Sequence, residues 1–166
     1  MIAEIDRALD NCRKVPDHSR RIGLPVAFIR MFNEPAFFKR ATPLVRWTEG
    51  FEPCRNEMLF EHNSSCCCYS TPFTALVSES RSGILLAGFA GEQTCLSILI
   101  DAFHRNHKVT FLCDASRSHA LDELSADDVH RAVSRRSGLY GEVYETADWI
   151  ASTHPRKLGN GKNAGG

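Results

Sequence analysis

The clearest alternation of apolar and polar positions runs from Gly83 to His119. Ile84–Phe89 is a short apolar run after a glycine, with the length and continuity of a strand covered on both faces. Gly88 and Gly91 bracket a turn, and Glu92 and Thr94 stand where a helix should begin. Cys95, Leu96, Ile98, Leu99, Ala102 and Phe103 then recur at helical spacing, with Ser97, Asp101 and His104 between them. Lys108–Cys113 is a second apolar run, closed by Asp114. Strand, amphipathic helix and strand predict a right-handed crossover between parallel strands. Ligands in such sheets bind beyond the carboxyl ends of the strands. Here those ends are Gly88–Thr94 and Asp114–His119.

The flanking patterns extend this plan. Ile5–Arg21 reads as a helix with Ile5, Leu9, Cys12 and Val15 on one side, kinked or broken at Pro16 and stopped by Gly23. Leu24–Arg30 reads as a buried strand. Met31–Asn56 has no clear period and contains Phe32, Phe37, Phe38, Trp47 and Phe51 among prolines and a glycine. Such a connection is a binding loop or lid, or a set of aromatics covering the core. Glu57–Glu61 is a short strand, followed by the polar, sulfur-rich loop His62–Tyr69. Thr71 caps a helix over Pro72–Ser80. Ser125 and Asp128 announce a helix ending at Gly138, Gly141–Glu145 is the last strand, and Thr146 caps a short helix over Ala147–Ala151. Five strands alternating with helices or long loops predict an α/β domain with a mostly parallel sheet, covering residues 1–153. Residues 154–166, rich in Gly, Lys and Asn, form a tail expected to be disordered.

Composition narrows the function. The 166 residues carry 20 basic and 20 acidic side chains. A balanced charge without a basic stripe argues against nucleic acid as a partner. No apolar run approaches the roughly 20 residues of a membrane helix, and none resembles a signal peptide, so the expected location is cytoplasmic. The seven cysteines are odd in number and lack a CxxC pair, which favours free thiols over a disulfide framework.

Three groups of residues could carry chemistry. Thr94-Cys95 lies at a predicted helix N-terminus, where the dipole and free amides stabilise a thiolate or an oxyanion. Equally, Cys95 could face the core as a small apolar residue. His62 with Cys66, Cys67 and Cys68 offers soft ligands, but adjacent cysteines are poorly placed for one tetrahedral metal. A polar pocket wall with His62 as proton carrier is the other reading. Asp114, Arg117 and His119 follow the fourth strand, either as site residues or as turn formers. Gly88–Gly91 lacks the spacing of a phosphate loop.

Over Gly88–Ala102 the sequence resembles the isochorismatase-like hydrolase superfamily, which includes isochorismatases, nicotinamidases and other cysteine amidohydrolases. The resemblance rests on the strand ILLAG, the turn GFAGEQT, the helix CLSILIDAF and the strand HKVTFLCDASRSH. It extends weakly over most of the chain. It implies a three-layer α/β/α sandwich with six parallel strands. It also implies a pocket with an aspartate on the first strand, a lysine after the third, and often a cysteine at the helix start. The sequence departs at all three places. No apolar strand ending in Asp precedes Ile5–Arg21, so the resemblance implies that the first, central strand is missing and that Leu24–Arg30 and Ile84–Phe89 have unpaired inner edges. Either the chain starts further upstream, or this copy is decayed or paired with something else. The lysine position falls on or near His62. Thr94 falls at the nucleophile position, with Cys95 one residue late and turned by about 100° on a helix. Some isochorismatases share that last feature and cleave a vinyl ether by acid chemistry without a thiolate.

The resulting expectation is a hydrolase of a small amide, imide or enol-ether-type molecule, with catalytic activity intact or degraded. Cys95 or Thr94 would sit at the reacting centre, the backbone N–H groups of Thr94 and Cys95 would stabilise negative charge, and His62 would move protons. Gly88, Phe89, Gly91, Asp114 and His119 would bind substrate. No cofactor or metal is expected, and the resemblance implies a homo-oligomer. The alternative is a non-catalytic, truncated member acting as a binding or oligomerisation module. A redox or metal-binding role for Cys66–Cys68 is a third reading.

Overall fold

A computed structural model of the chain describes residues 2–31, 46–62, 71–80 and 83–153. Most of the aromatic connection, the loop with Cys66–Cys68, and the C-terminal tail lie outside the described residues.

Helix α1 spans Ile2–Ile22 without a break. Of the kink or break expected at Pro16, the break does not occur. Proline removes one backbone hydrogen bond, at a cost of about 3 kcal/mol in an isolated helix. Here Ala8, Asn11, Cys12, Ser19 and Ile22 are buried at helical spacing on both sides of Pro16, and this packing holds the helix continuous through it. The helix ends as predicted. Gly23 adopts φ +73°, its amide donates to Arg20 O at 3.3 Å, and the Leu24 amide donates to Ser19 O at 2.9 Å. This double bond pattern around a left-handed glycine satisfies the orphan carbonyls of the last turn.

Strands β1 (Ala27–Met31) and β2 (Met58–His62) pair in parallel, with Ala27 opposite Met58 and Met31 opposite His62. Arg30 bonds Glu61 across the pair at 2.6 Å, and Arg20 of α1 grips Glu57 with two bonds of 2.8 and 3.0 Å. The Arg20 bonds hold the Glu57 carboxyl below its usual range despite burial. Trp47 stacks edge-on to Phe28 at 5.7 Å and under the Arg30 guanidinium at 4.6 Å. Phe51 packs beside Cys12 and Leu112. These two aromatics therefore cover the core.

Helix α2 (Thr71–Ser80) leads to β3 (Ile84–Phe89). A single π-helical turn, Gly91–Cys95, then runs into α3 (Leu96–His104). Strand β4 (Val109–Arg117), helix α4 (Ala126–Ser137), strand β5 (Glu142–Tyr144) and helix α5 (Thr146–Ser152) complete the described chain. Strands β3, β4 and β5 form a second parallel sheet in that order, and the described strands comprise these two sheets. The expected mixed α/β architecture with parallel strands is therefore present.

Helices cover both faces of β4. Phe111 meets Ile98, Leu99 and Ala102 of α3, with Phe73 of α2 beside them. Leu112 and Ala115 meet Cys12 of α1 and Trp149 of α5. Phe111, Leu112, Ile98 and Leu99 are essentially inaccessible, and burial of each contributes about 1.5–3 kcal/mol. Ser125 caps α4 as predicted, accepting the Asp128 amide at 3.1 Å.

Strand β4 differs from expectation: it does not end at Asp114. Leu86 pairs with Phe111 and Gly88 with Ser116, so two steps along β3 match five along β4. The surplus bows out around Cys113–Ala115, and pairing resumes at Ser116 and Arg117. Renewed pairing with β3 overrides the turn preference of Asp and Ser.

Candidate active site at the start of helix α3

The site is built where β3 and β4 end. Gly88 has φ +131°, a conformation that excludes other residues although a Cβ would meet no atom within 4 Å. Gly91 is held for space: a Cβ would lie 3.0 Å from the Ser116 and Ser118 hydroxyls. The two glycines let the connection fold tightly over the end of β4.

The Gly91–Cys95 turn decides what the helix start can do. The Cys95 amide donates to Ala90 O at 3.1 Å, five residues back. It is therefore spent inside the turn, and the sequence-based role of this N–H in holding negative charge is not available to it. Cys95 itself is 3% exposed. Its Sγ points at Gly88 O at 3.5 Å, and the Ser116 hydroxyl, itself fully buried, lies 4.0 Å from it. Burial pushes the Cys95 thiol up to about 12, aided by the charge of Glu92 and opposed by the Ser116 bond. The helix start does not produce a thiolate. Thr94 is half-buried one residue earlier in the turn.

A polar cluster not foreseen from the sequence covers the turn. His119 Nδ1 lies 2.8 Å from Glu92 Oε1, and the His119 amide donates to Glu92 Oε2 at 3.4 Å. Burial raises the Glu92 carboxyl, but bonds from His119, from its own amide and from Ser118 prevail and hold it below its usual range. His130 Nε2 is 2.8 Å from Cys113 O, which can only accept, so Nε2 carries the proton. Nδ1 is then a lone pair facing the Ser118 hydroxyl at 3.3 Å. Burial lowers the His130 pKa, so the ring is neutral at pH 7. Glu92 was legible only as a helix-start residue, and Ser116 and Ser118 only as turn formers. His130 carried no signal, because its partner is a backbone carbonyl 17 positions away.

The remaining predicted residues separate. Gly88, Gly91, Thr94, Cys95 and His119 gather at this edge. Phe89 ends β3 with 43% of its surface exposed. Asp114 is engaged elsewhere. Its Oδ1 accepts the amide and hydroxyl of Thr146, both at 2.7 Å, and its Oδ2 accepts Asn11 Nδ2 at 2.8 Å. Asp114 thus caps α5 and ties it to α1, whereas Thr146, predicted as the cap, is the first helical residue. His62 ends β2, and its side chain lies outside the described residues, as do Cys66–Cys68. Among the described residues no group of His, Cys, Asp and Glu could hold a metal ion. A cleft of about 160 Å³ lies between α1, β4 and α4. Arg117 crosses it with ion pairs to Glu4 at 2.7 Å and Asp127 at 2.9 Å.

Parallel strands wrapped by helices, with a glycine-bounded turn into a helix at their carboxyl ends, define an α/β protein with its candidate site at that edge. The chain belongs to the isochorismatase family: the model of the isochorismatase domain matches residues 2–148. Among solved structures, the chain is similar to an isochorismatase from Pseudomonas putida KT2440, with TM-score 0.82 and 20% identity over 87% of this chain and 78% of that one. It is also similar to a cysteine hydrolase from Pseudomonas syringae pv. phaseolicola 1448A, with TM-score 0.80 and 19% identity over 89% of this chain and 80% of that one. An isochorismatase-like hydrolase from Alkaliphilus metalliredigens aligns at TM-score 0.76 and 14% identity, covering 90% and 85% respectively. At these identities the likeness concerns the fold. None of the curated proteins matches the chain. No helix among the described residues is long and apolar enough to cross a membrane.

Proposed function

We propose that the chain acts as an isochorismatase-like hydrolase on a small amide, imide or enol-ether-type substrate, with the reacting centre at Thr94 and without a Cys95 thiolate. The observation that carries this reading is the burial of Cys95 under Ser116 and Gly88, with its thiol pushed up to about 12. A buried thiol raised in this way does not supply at pH 7 the thiolate that nucleophilic attack requires. The same observation favours the enol-ether end of the substrate range, where the resemblance implies acid chemistry. His62 remains the candidate proton carrier.

A second reading, a binding or oligomerisation module without catalysis, is favoured by the engagement of Asp114 and Glu92 in internal hydrogen bonds. One experiment separates the two. Hydrolysis of small amides, imides and vinyl ethers is assayed with the unmodified chain, Cys95→Ala and Thr94→Val. The proposal expects activity that survives Cys95→Ala and falls at least about tenfold in Thr94→Val. Loss of activity in Cys95→Ala with normal folding overturns the Thr94 centre. Absence of activity from the unmodified chain on every class favours the binding module.

A further inference from the structure

Two hydroxyl–imidazole contacts among the described residues run in opposite directions. In the first, His18 Nε2 lies 2.8 Å from Thr153 Oγ1. The Thr153 hydroxyl donates to Trp149 O at 2.9 Å, so its proton is spent and its oxygen accepts from His18. That contact ties α1 to the end of α5. In the second, Ser118 Oγ lies 3.3 Å from His130 Nδ1. Here the ring proton sits on Nε2, held by Cys113 O at 2.8 Å, so Nδ1 is a lone pair and the Ser118 hydroxyl donates to it.

The second arrangement has the parts of an activated hydroxyl: a nucleophile within reach of a base, and a base whose ring a third group orients. His130 is buried, and the desolvation that keeps it neutral at pH 7 leaves it able to take a proton. Glu92 and Asp127 favour the charged ring that proton transfer would create. Arg117 opposes them, but it is itself paired with Glu4 at 2.7 Å and Asp127 at 2.9 Å. Access separates Ser118 from its neighbour. Ser116 lies beneath the same Gly91, but it is fully buried and faces Cys95. Ser118 is half-buried, beside the exposed His119. Gly91 carries no side chain where a Cβ would press on the Ser118 hydroxyl at 3.0 Å. The other acceptor near Ser118 is Glu92, whose oxygens already take the ring and amide of His119. Phe89, opposite Arg117 in the β3–β4 register and 43% exposed, adds an apolar surface at this edge.

We propose that Ser118 and His130 form a nucleophile–base dyad that hydrolyses small carboxylic esters with an uncharged acyl group. The Ser118 oxygen bonds to the ester carbonyl carbon as its proton passes to His130 Nδ1. The bond from that carbon to the alkoxy oxygen then breaks, and the leaving alcohol takes the proton from Nδ1. Water gives a proton to Nδ1 and attacks the acyl-serine. The carboxylic acid departs and the proton returns to the Ser118 oxygen. The net reaction converts ester and water into acid and alcohol, with no other reactant. It uses neither Thr94 nor Cys95, so it stands or falls separately from the reaction proposed above.

The test treats the unmodified chain with p-nitrophenyl acetate and, separately, with an alkyl fluorophosphonate, and maps the adducts by peptide mass spectrometry. The proposal expects an adduct on Ser118 that is absent from the urea-unfolded chain. His130→Gln, with its fold checked by circular dichroism, should slow the labelling at least about 100-fold, the usual contribution of a positioned base. Ser118→Cys, which keeps a nucleophile at that position, should still be acylated by p-nitrophenyl acetate, and Ser118→Ala should leave the peptide unlabelled. No adduct on Ser118 of the folded chain overturns the dyad, as does labelling confined to Thr94 or to other serines. Unchanged labelling in folded His130→Gln removes the base and overturns it too. If His130→Gln does not fold, the unmodified chain decides alone: Ser118 labelled when folded and unlabelled in urea supports the dyad, and equal labelling in both states overturns it.

Discussion

Asp114 offers the sharpest test, because two roles for it make opposite predictions. As a substrate-binding residue, its replacement would change KM and leave stability alone. The structure makes it an internal anchor: it accepts the Thr146 amide and hydroxyl at 2.7 Å and Asn11 Nδ2 at 2.8 Å. Thr146 is 1% exposed and Asn11 8%, so water cannot readily replace the lost acceptor. Each hydrogen bond to a charged group is worth about 1.5–3 kcal/mol, and the three are not additive. We expect Asp114→Ala to cost about 3–4 kcal/mol, which lowers Tm by about 10 °C for a domain of this size. Asp114→Asn keeps the volume and one acceptor and should cost about 2 kcal/mol. Urea unfolding followed by circular dichroism measures both. A double-mutant cycle with Thr146→Val should give a coupling above about 1 kcal/mol. A loss below about 1 kcal/mol in Asp114→Ala, or zero coupling, would refute the anchor.

Three further outcomes are expected. Iodoacetamide at pH 8 should modify exposed Cys54 at least about 100-fold faster than Cys12 and Cys95, whose thiols burial pushes up to about 12; equal labelling of Cys95 and Cys54 by peptide mass spectrometry would contradict the buried site. Gly141→Ala should cost about 2 kcal/mol or more, because its Cβ would lie 2.5 Å from Val109 O, whereas Gly138→Ala, at 3.4 Å from Arg135 O in a helical conformation, should change the urea midpoint little. Neutral His130 has its pKa lowered by burial from 6.5, so the unfolded chain takes up a proton first as pH falls below that value, and stability falls with it. In His130→Gln the loss of stability between pH 6.5 and 5 should be shallower; an unchanged slope counts against a buried neutral ring.

The elements around Gly83–His119 were legible because each rests on a local signal. Apolar continuity marks β3, helical spacing marks α3, and Ser125 with Asp128 marks α4. Pro16 does not end the helix, because its penalty is local while the packing of Ala8, Cys12 and Ile22 that outweighs it is not. Asp114 misled for a related reason: its partners lie at positions 11 and 146, and no local pattern announces them. The placement of Thr94 and Cys95 on the turn into α3 was readable, but a turn closing from Cys95 back to Ala90 cannot be told from an ordinary helix start by spacing. Whether Cys95 faces the core or a substrate depends on Ser116, 21 residues away, beyond what periodicity reports.

The bowed segment of β4 also bears on how long the native state lasts. Its carboxylate joins α1 and α5 across 103 and 32 positions of sequence. Contacts of such span form only after the elements they join have docked, because the long loop must be closed first. The Asp114 bonds are thus expected to be absent from the folding transition state. Their removal should then leave the folding rate nearly unchanged and, for a loss of about 3 kcal/mol, speed unfolding about 10²-fold. Stopped-flow chevrons of Asp114→Ala measure this, and a slowed folding limb would place the anchor in the nucleus instead. On this view three extra residues in one strand set the rate at which the two ends of the domain come apart.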